Sequence, residues 1–202
     1  MFNSIKRTVS IILLSSMLLL TGVNATQAKK VSSRPEVWTK QVETKGIGNF
    51  HQVSENLYRG KQPTAQGIEQ LKQMGVKTIV NLRTEDTDTK LLKGYDFNYV
   101  RIPMRAKDPK VEDVITFLKI ATDINQGPVF VHCMRGADRT GMMCAAYRVV
   151  VQGWDKKDAI NEMKNGGYKF SPLCGKLADF INALDVEQIR KEIKLQTAAA
   201  VN

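Results

Sequence analysis

The stretch "PVFVHCMRGADRTGMMCAAY", residues Pro128–Tyr147, passes from one apolar run to another through a tight corner that carries a thiol, a glycine and an arginine. The run "VFVHC", entered through Gly-Pro, is β-branched and aromatic and has the length of a strand. After the corner, "RTGMMCAAYRVVVQGW" is apolar on nearly every side, the pattern of a helix buried inside a fold. A glycine-containing turn between the carboxyl end of a strand and the start of a helix is a place for an anion. There the N–H groups of residues 134–139 are expected to face one concavity without partners of their own.

Outward from this corner, strands and helices alternate. "FHQVSENLYRG" contains two short alternating runs joined by a Ser-Glu-Asn turn, a hairpin or two adjacent strands. "TAQGIEQLKQM" puts Ile68 and Leu71 on one face behind a Thr64 cap, with Gly75 as the stop. "VKTIVNLR" and "FNYVRIPM" have strand length, and "VEDVITFLKIATDIN" repeats apolar residues at helical spacing. On the far side, "DKKDAINEM" is amphipathic and a last helix is predicted from about Leu173 to Leu195. Alternation of this kind predicts an α/β fold with a central, mostly parallel sheet flanked by helices.

At 202 residues and 43% hydrophobic composition the chain has material for one domain with a real core and too little for two. Lys6 and Arg7 before the apolar run Val9 to Leu20, followed by "TGVNATQA", have the build of a signal peptide over residues 1–28, with cleavage expected after Ala25 or Ala28. The apolar run is shorter than the roughly 20 residues of a membrane span, and no later segment resembles one. Residues 29–48 are polar and aperiodic, a leader expected to pack loosely. The main domain is expected over 49–195, with a tail at 196–202. Removing residues 1–28 lowers the net charge from +10 to +8, so the field still favours anions. Export makes nucleic acid the least fitting of the anionic partners, and the expected location is periplasmic or secreted.

Cys133 at the start of the concavity shares its dipoles with the guanidinium of Arg139, and both favour thiolate over thiol. The planar fork of Arg139 matches two oxygens of a phosphoryl group better than the point charge of a lysine. These groups suit attack on a phosphate monoester through a cysteinyl-phosphate, chemistry that calls for no metal and no cofactor.

The segment "HCMRGADRTG" resembles the His-Cys-x5-Arg-Ser/Thr signature of cysteine-dependent protein tyrosine and dual-specificity phosphatases. More loosely, residues 50 to about 185, including "LYRGKQPTAQGIEQLKQMGVKTIVNLR" and "YVRIPM", resemble the small atypical dual-specificity phosphatases. That group includes the plant and fungal type that acts on inositol pyrophosphates, and its bacterial relatives. The resemblance implies Cys133 as nucleophile and Arg139 as phosphate clamp. It implies Thr140 as the hydroxyl that helps the thiolate depart, and His132 as the residue that holds the loop and tunes the thiol. Met134, Arg135, Gly136, Ala137, Asp138 and Arg139 would form the substrate pocket.

The family's general acid lies on a loop upstream of the cysteine, and Asp108, 25 residues before Cys133, is the first choice. Asp113 is explained by a helix first turn. Asp138 departs from the family pattern and is expected to turn away and pair with a lysine or a backbone donor. Arg105, Lys107, Lys110 and Arg135 are candidates for a basic rim, whereas Arg59 and Arg83 follow strands and carry no assigned role. The cysteine count is odd, so at most one disulfide can form and one thiol stays free, expected to be Cys133; Cys144 and Cys174 are taken as core or loop residues rather than a redox pair. The expected substrates are phosphotyrosine and dual-specificity protein sites, with inositol polyphosphates or pyrophosphates as the alternative and a catalytically silent phosphate-binding module as the second.

Overall fold

The computed structural model describes residues 35–194. Six strands form one sheet: β1 (Lys40–Gln41), β2 (His51–Ser54), β3 (Leu57–Lys61), β4 (Thr78–Asn81), β5 (Asn98–Arg101) and β6 (Val129–Cys133). Their spatial order is β1-β2-β3-β6-β4-β5. The β1-β2 and β2-β3 pairs are antiparallel and the other three pairs parallel, so β6 lies between two parallel neighbours. Lys61 is in register with Cys133, and Asn81 with His132, which brings three carboxyl ends to one edge.

Helices cover both faces: α1 (Ala65–Gln73), α2 (Asp88–Leu91), α3 (Val111–Thr122), α4 (Asp138–Val150), α5 (Lys156–Asn165), α6 (Lys176–Ala183) and α7 (Val186–Glu192). The period of two along β6 sorts its side chains. Val129, Val131 and Cys133 join the core built with α3 to α7, and Phe130 packs with Ile68, Leu71 and Ile79 under α1. Residues 140–150 of α4 are all buried, as their apolar sequence predicts. The α1 boundaries also follow the sequence: the Thr64 hydroxyl accepts from the Gly67 N–H, and Gly75 takes φ +75° just past the helix. Among the described residues no helix is long and apolar enough to cross a membrane.

Three features depart from the sequence reading. From Pro35 onward the supposedly loose leader is built into the fold: β1 pairs with β2, and Thr39 and Ile47 are buried. Hydrogen bonds hold it, the Thr39 N–H to Glu162 Oε1 (2.7 Å) and Arg148 Nη2 to the Val37 carbonyl (3.3 Å), and such contacts leave no periodic trace in sequence. The single last helix is instead a 3₁₀ turn (Pro172–Cys174) followed by α6 and α7. Leu184 is extended at ψ 130°, and Asp185 accepts from the Gln188 N–H (2.9 Å) to start α7 afresh. The short α2 has no counterpart in the predicted elements. Residues 1–28, the cleavage sites and the 196–202 tail lie outside the described residues.

Arg148 is the buried tie between layers. Its Nε and Nη2 donate to the two Glu162 oxygens (2.8 and 2.9 Å), Nη1 reaches the Val53 carbonyl (3.2 Å), and the guanidinium lies over Trp154. Arg148→Ala leaves Glu162 buried without its cation, and a loss of about 3–5 kcal/mol is expected. Urea unfolding of the two proteins measures it.

Candidate active site

The loop between β6 and α4 is shaped by one glycine. Gly136 has φ +64°, and a Cβ there would stand 2.3 Å from the carbonyl carbon and oxygen of Gly60, so only glycine lets the loop pack against β3. The loop's carbonyls are held from behind. Arg59 Nη2 donates to the Gly136 oxygen (2.8 Å), with its guanidinium over the Tyr168 ring at 3.7 Å. Asn49 Nδ2 donates to the carbonyls of Arg135 (3.2 Å), Gly136 (3.1 Å) and Tyr168 (3.0 Å). With these carbonyls engaged behind the loop, the N–H groups of Arg135 and Thr140 meet the Cys133 sulfur.

Cys133 is 3% exposed and forms part of the lining of an open cavity of about 500 Å³. Burial pushes its thiol pKa up. The Thr140 hydroxyl and N–H, the Arg139 charge and the Arg135 N–H outweigh that and bring it below the ordinary thiol value. The Thr140 hydroxyl is fully buried and has no other hydrogen-bond partner among the described residues. Arg139 Nη1 is anchored to the carbonyls of Leu82 (3.2 Å) and Met104 (3.3 Å), at the ends of the β4 and β5 segments, and its guanidinium lines the cavity with Cys133.

Of the expected substrate-pocket residues, Met134, Arg135, Asp138 and Arg139 line the cavity with Arg105 and Lys107, whereas Gly136 and Ala137 are buried outside the lining, the Gly136 carbonyl held by Arg59 and Asn49. Lys110 caps α3 outside the lining. Asp138 is tied on both oxygens, to Arg135 Nη2 (2.6 Å) and to the Ser171 N–H (2.7 Å). Its partners are therefore an arginine and a backbone donor. Asp108 is exposed on the Arg105–Asp108 turn, its N–H bonded to the Arg105 carbonyl (3.1 Å), next to the cavity wall and outside the lining. Asp113 stands in the first turn of α3, where burial pushes its pKa up.

His132 faces away from the sulfur. Its Nε2 is 2.8 Å from Asp88 Oδ2, both side chains fully buried, its ring stacks on Phe130, and its Nδ1 lies 3.4 Å from the Cys133 carbonyl. It contacts the Cys133 backbone, its Nδ1 facing that carbonyl, while its Nε2 faces Asp88. Asp88 also accepts from Gln62 Nε2 (2.9 Å), and Gln62 in turn pairs with Arg83 and Thr87. Arg83 thus braces α2 and stays outside the cavity lining. Asp88 and Asn49 escaped the sequence reading, because one acid among "TEDTDTK" and one Asn before a strand carry no local signal. All three cysteines are free thiols, Cys144 within α4 and Cys174 in the 3₁₀ turn.

A cysteine sulfur that shares a cavity with a guanidinium and meets the N–H groups of Arg135 and Thr140, on a strand-loop-helix corner, defines a cysteine-dependent phosphatase. The chain belongs to the family described as DSP-PTPase phosphatase fused to NAD+ kinase, whose model matches residues 35–173. It is 33% identical over 184 residues to the dual specificity protein phosphatase TpbA of Pseudomonas aeruginosa (strain UCBPP-PA14), spanning 89% of this chain and 82% of that one. The crystal structure of a cysteine-to-serine P. aeruginosa TpbA in complex with pTyr superposes with a TM-score of 0.72 at 30% identity, covering 81% of this chain and 100% of that one. The inositol diphosphatase DSP3 of Arabidopsis thaliana is 27% identical over 152 residues, 71% of this chain and 73% of the relative.

Proposed function

We propose that this chain hydrolyses phosphate monoesters, phosphotyrosine and related protein sites among them, through a cysteinyl-phosphate on Cys133. The observation that carries this is the Cys133 sulfur, its pKa lowered, sharing a cavity with the Arg139 fork. The thiolate attacks phosphorus, the S–P bond forms as the ester P–O bond breaks, and the leaving oxygen takes a proton from Asp108. Water then attacks phosphorus, gives its proton to the Asp108 carboxylate, and the S–P bond breaks to return thiolate and inorganic phosphate. Thr140 stabilises the departing sulfur by donating its hydroxyl. The substrate preference is supported by the TpbA relative and its pTyr complex.

A second reading, inositol polyphosphates or pyrophosphates, draws on the basic wall of Arg105, Lys107 and Arg135 and on the DSP3 relative. The test is phosphate release from a phosphotyrosine peptide and from inositol hexakisphosphate, with a chelator present throughout. Release from the peptide at an undiminished rate supports the first reading. Tight binding of both without turnover would show a silent phosphate-binding module instead. In the same assay Asp108→Asn is expected to lower kcat by about 10²-fold or more on the peptide and far less on a nitrophenyl ester, whose leaving group needs no proton. A loss with Asp113→Asn and none with Asp108→Asn would move the acid to Asp113.

We also propose that the protein is exported, on the strength of Lys6 and Arg7 ahead of the Val9 to Leu20 apolar run. Sequencing the mature amino terminus is expected to find a start after Ala25 or Ala28; an intact Met1 overturns this.

A further inference from the structure

Across the Arg135 side chain from the catalytic cavity lies a second cavity of about 530 Å³, whose lining includes Lys61, Arg135 and Lys169 together with Asn49 and His51, with no Asp or Glu among the described residues that line it. We infer that it receives a second phosphate group of the same substrate molecule, one compact enough to bridge two adjoining cavities. The inference rests on the reading of the Cys133 cavity as a phosphatase site.

The three cations come from separate places: the end of β3, the phosphate loop and the turn after α5. Lys61 and Lys169 are exposed and have no ion-pair partner among the described residues. Arg135 is held by Asp138 yet keeps 61% of its side chain exposed. Like charges gathered around one hollow without a carboxylate raise its potential, and a polyanion relieves that repulsion.

The hollow is also rigidly joined to the chemistry. Lys61, in the lining of the second cavity, is the register partner of Cys133 on the neighbouring strand, so the two backbones lie one strand spacing, roughly 5 Å, apart, and Arg135 lines both cavities. Asn49, left-handed at φ 54°, uses one amide to hold carbonyls of the phosphate loop and of Tyr168. Lys169, the next residue, is left-handed as well at φ 61°. Two non-glycine residues in that region flanking one cavity mark backbone held against its preference. His51 closes the wall, its ring edge-on to Tyr168 and its Nδ1 3.0 Å from the Asn49 carbonyl. Two hollows that share the Arg135 side chain and are backed by adjacent strands suit phosphates on a small ring better than phosphorylated residues spread along a peptide.

The experiment reads affinity in the Cys133→Ser protein, titrated with inositol hexakisphosphate, a doubly phosphorylated peptide and phosphotyrosine. Adding Lys61→Ala and Lys169→Ala is expected to weaken the inositol phosphate by about tenfold or more and phosphotyrosine by less than about twofold. Lys93→Ala with Lys119→Ala, the same charge change at distant exposed sites, is expected to alter either ligand by less than about twofold. Equal losses for inositol phosphate and phosphotyrosine, no loss for either, or an equal effect of the distant pair overturns the inference. A tenfold loss confined to the doubly phosphorylated peptide overturns the compact substrate. Failure of the unsubstituted chain to hydrolyse any monoester would sink the catalytic reading separately, since these titrations need no turnover.

Discussion

Replacing Cys133 by serine is expected to abolish phosphate release, a fall on the order of 10⁴-fold or more in kcat, while the protein stays folded and still binds phosphotyrosine. A serine hydroxyl at the floor of this cavity remains protonated at neutral pH, and neither the N–H groups of Arg135 and Thr140 nor Arg139 bring it near ionisation. The cavity, the loop and the Arg139 fork are unchanged, so binding persists. Phosphate release from a phosphotyrosine peptide and the circular dichroism melt together test this; residual activity above about a hundredth of the parent would place the nucleophile elsewhere.

The same lowered pKa gives the rate a direction with pH. Below the Cys133 pKa the sulfur carries its proton and does not attack, so the limb of kcat/KM that reports the thiol rises with pH and has its midpoint below the ordinary thiol value. Thr140 supplies the largest of the opposing contributions, through its hydroxyl and its N–H. Thr140→Val, which removes the hydroxyl, therefore moves this acid limb upward.

Arg139→Lys is expected to cost about 10²–10³-fold in kcat/KM even though the charge is kept. The guanidinium meets two backbone carbonyls through Nη1, those of Leu82 and Met104, and the side chain lines the cavity beside Cys133. An ammonium has no fixed plane, so it loses either the carbonyls that aim it or the paired contact with the phosphoryl oxygens. Steady-state kinetics on the phosphotyrosine peptide measure the effect. A loss under about tenfold would mean that a point charge suffices for transition-state stabilisation.

Much of this site is visible in one line of sequence because its parts are consecutive. Cys133, the glycine, Arg139 and Thr140 belong to one strand-loop-helix unit, and short-range geometry forces their side chains and N–H groups toward one point. The supports of that unit are not consecutive. Arg59 behind the loop, Asn49 stapling three carbonyls and Asp88 against His132 reach it from three other segments, and each looks in sequence like an ordinary polar residue. Asp138 shows the limit from inside the motif: its identity is plain in sequence, but its partners, Arg135 and the Ser171 N–H, depend on how the chain returns after α5.

The sequence by itself determined the α/β class, the all-round apolar α4, the capped α1 and the cysteine-arginine corner, since periodicity, turn chemistry and chain-local spacing suffice for these. Only the tertiary structure decided that β1 joins the sheet, that the last helical stretch breaks at Leu184, that Asp108 stands outside the cavity lining while Arg105 and Lys107 enter it, and that Lys61 and Lys169 flank a second hollow beside Cys133. These last features are pairings between residues far apart in the chain, set by strand register and by backbone conformations that packing imposes, and no local pattern encodes them.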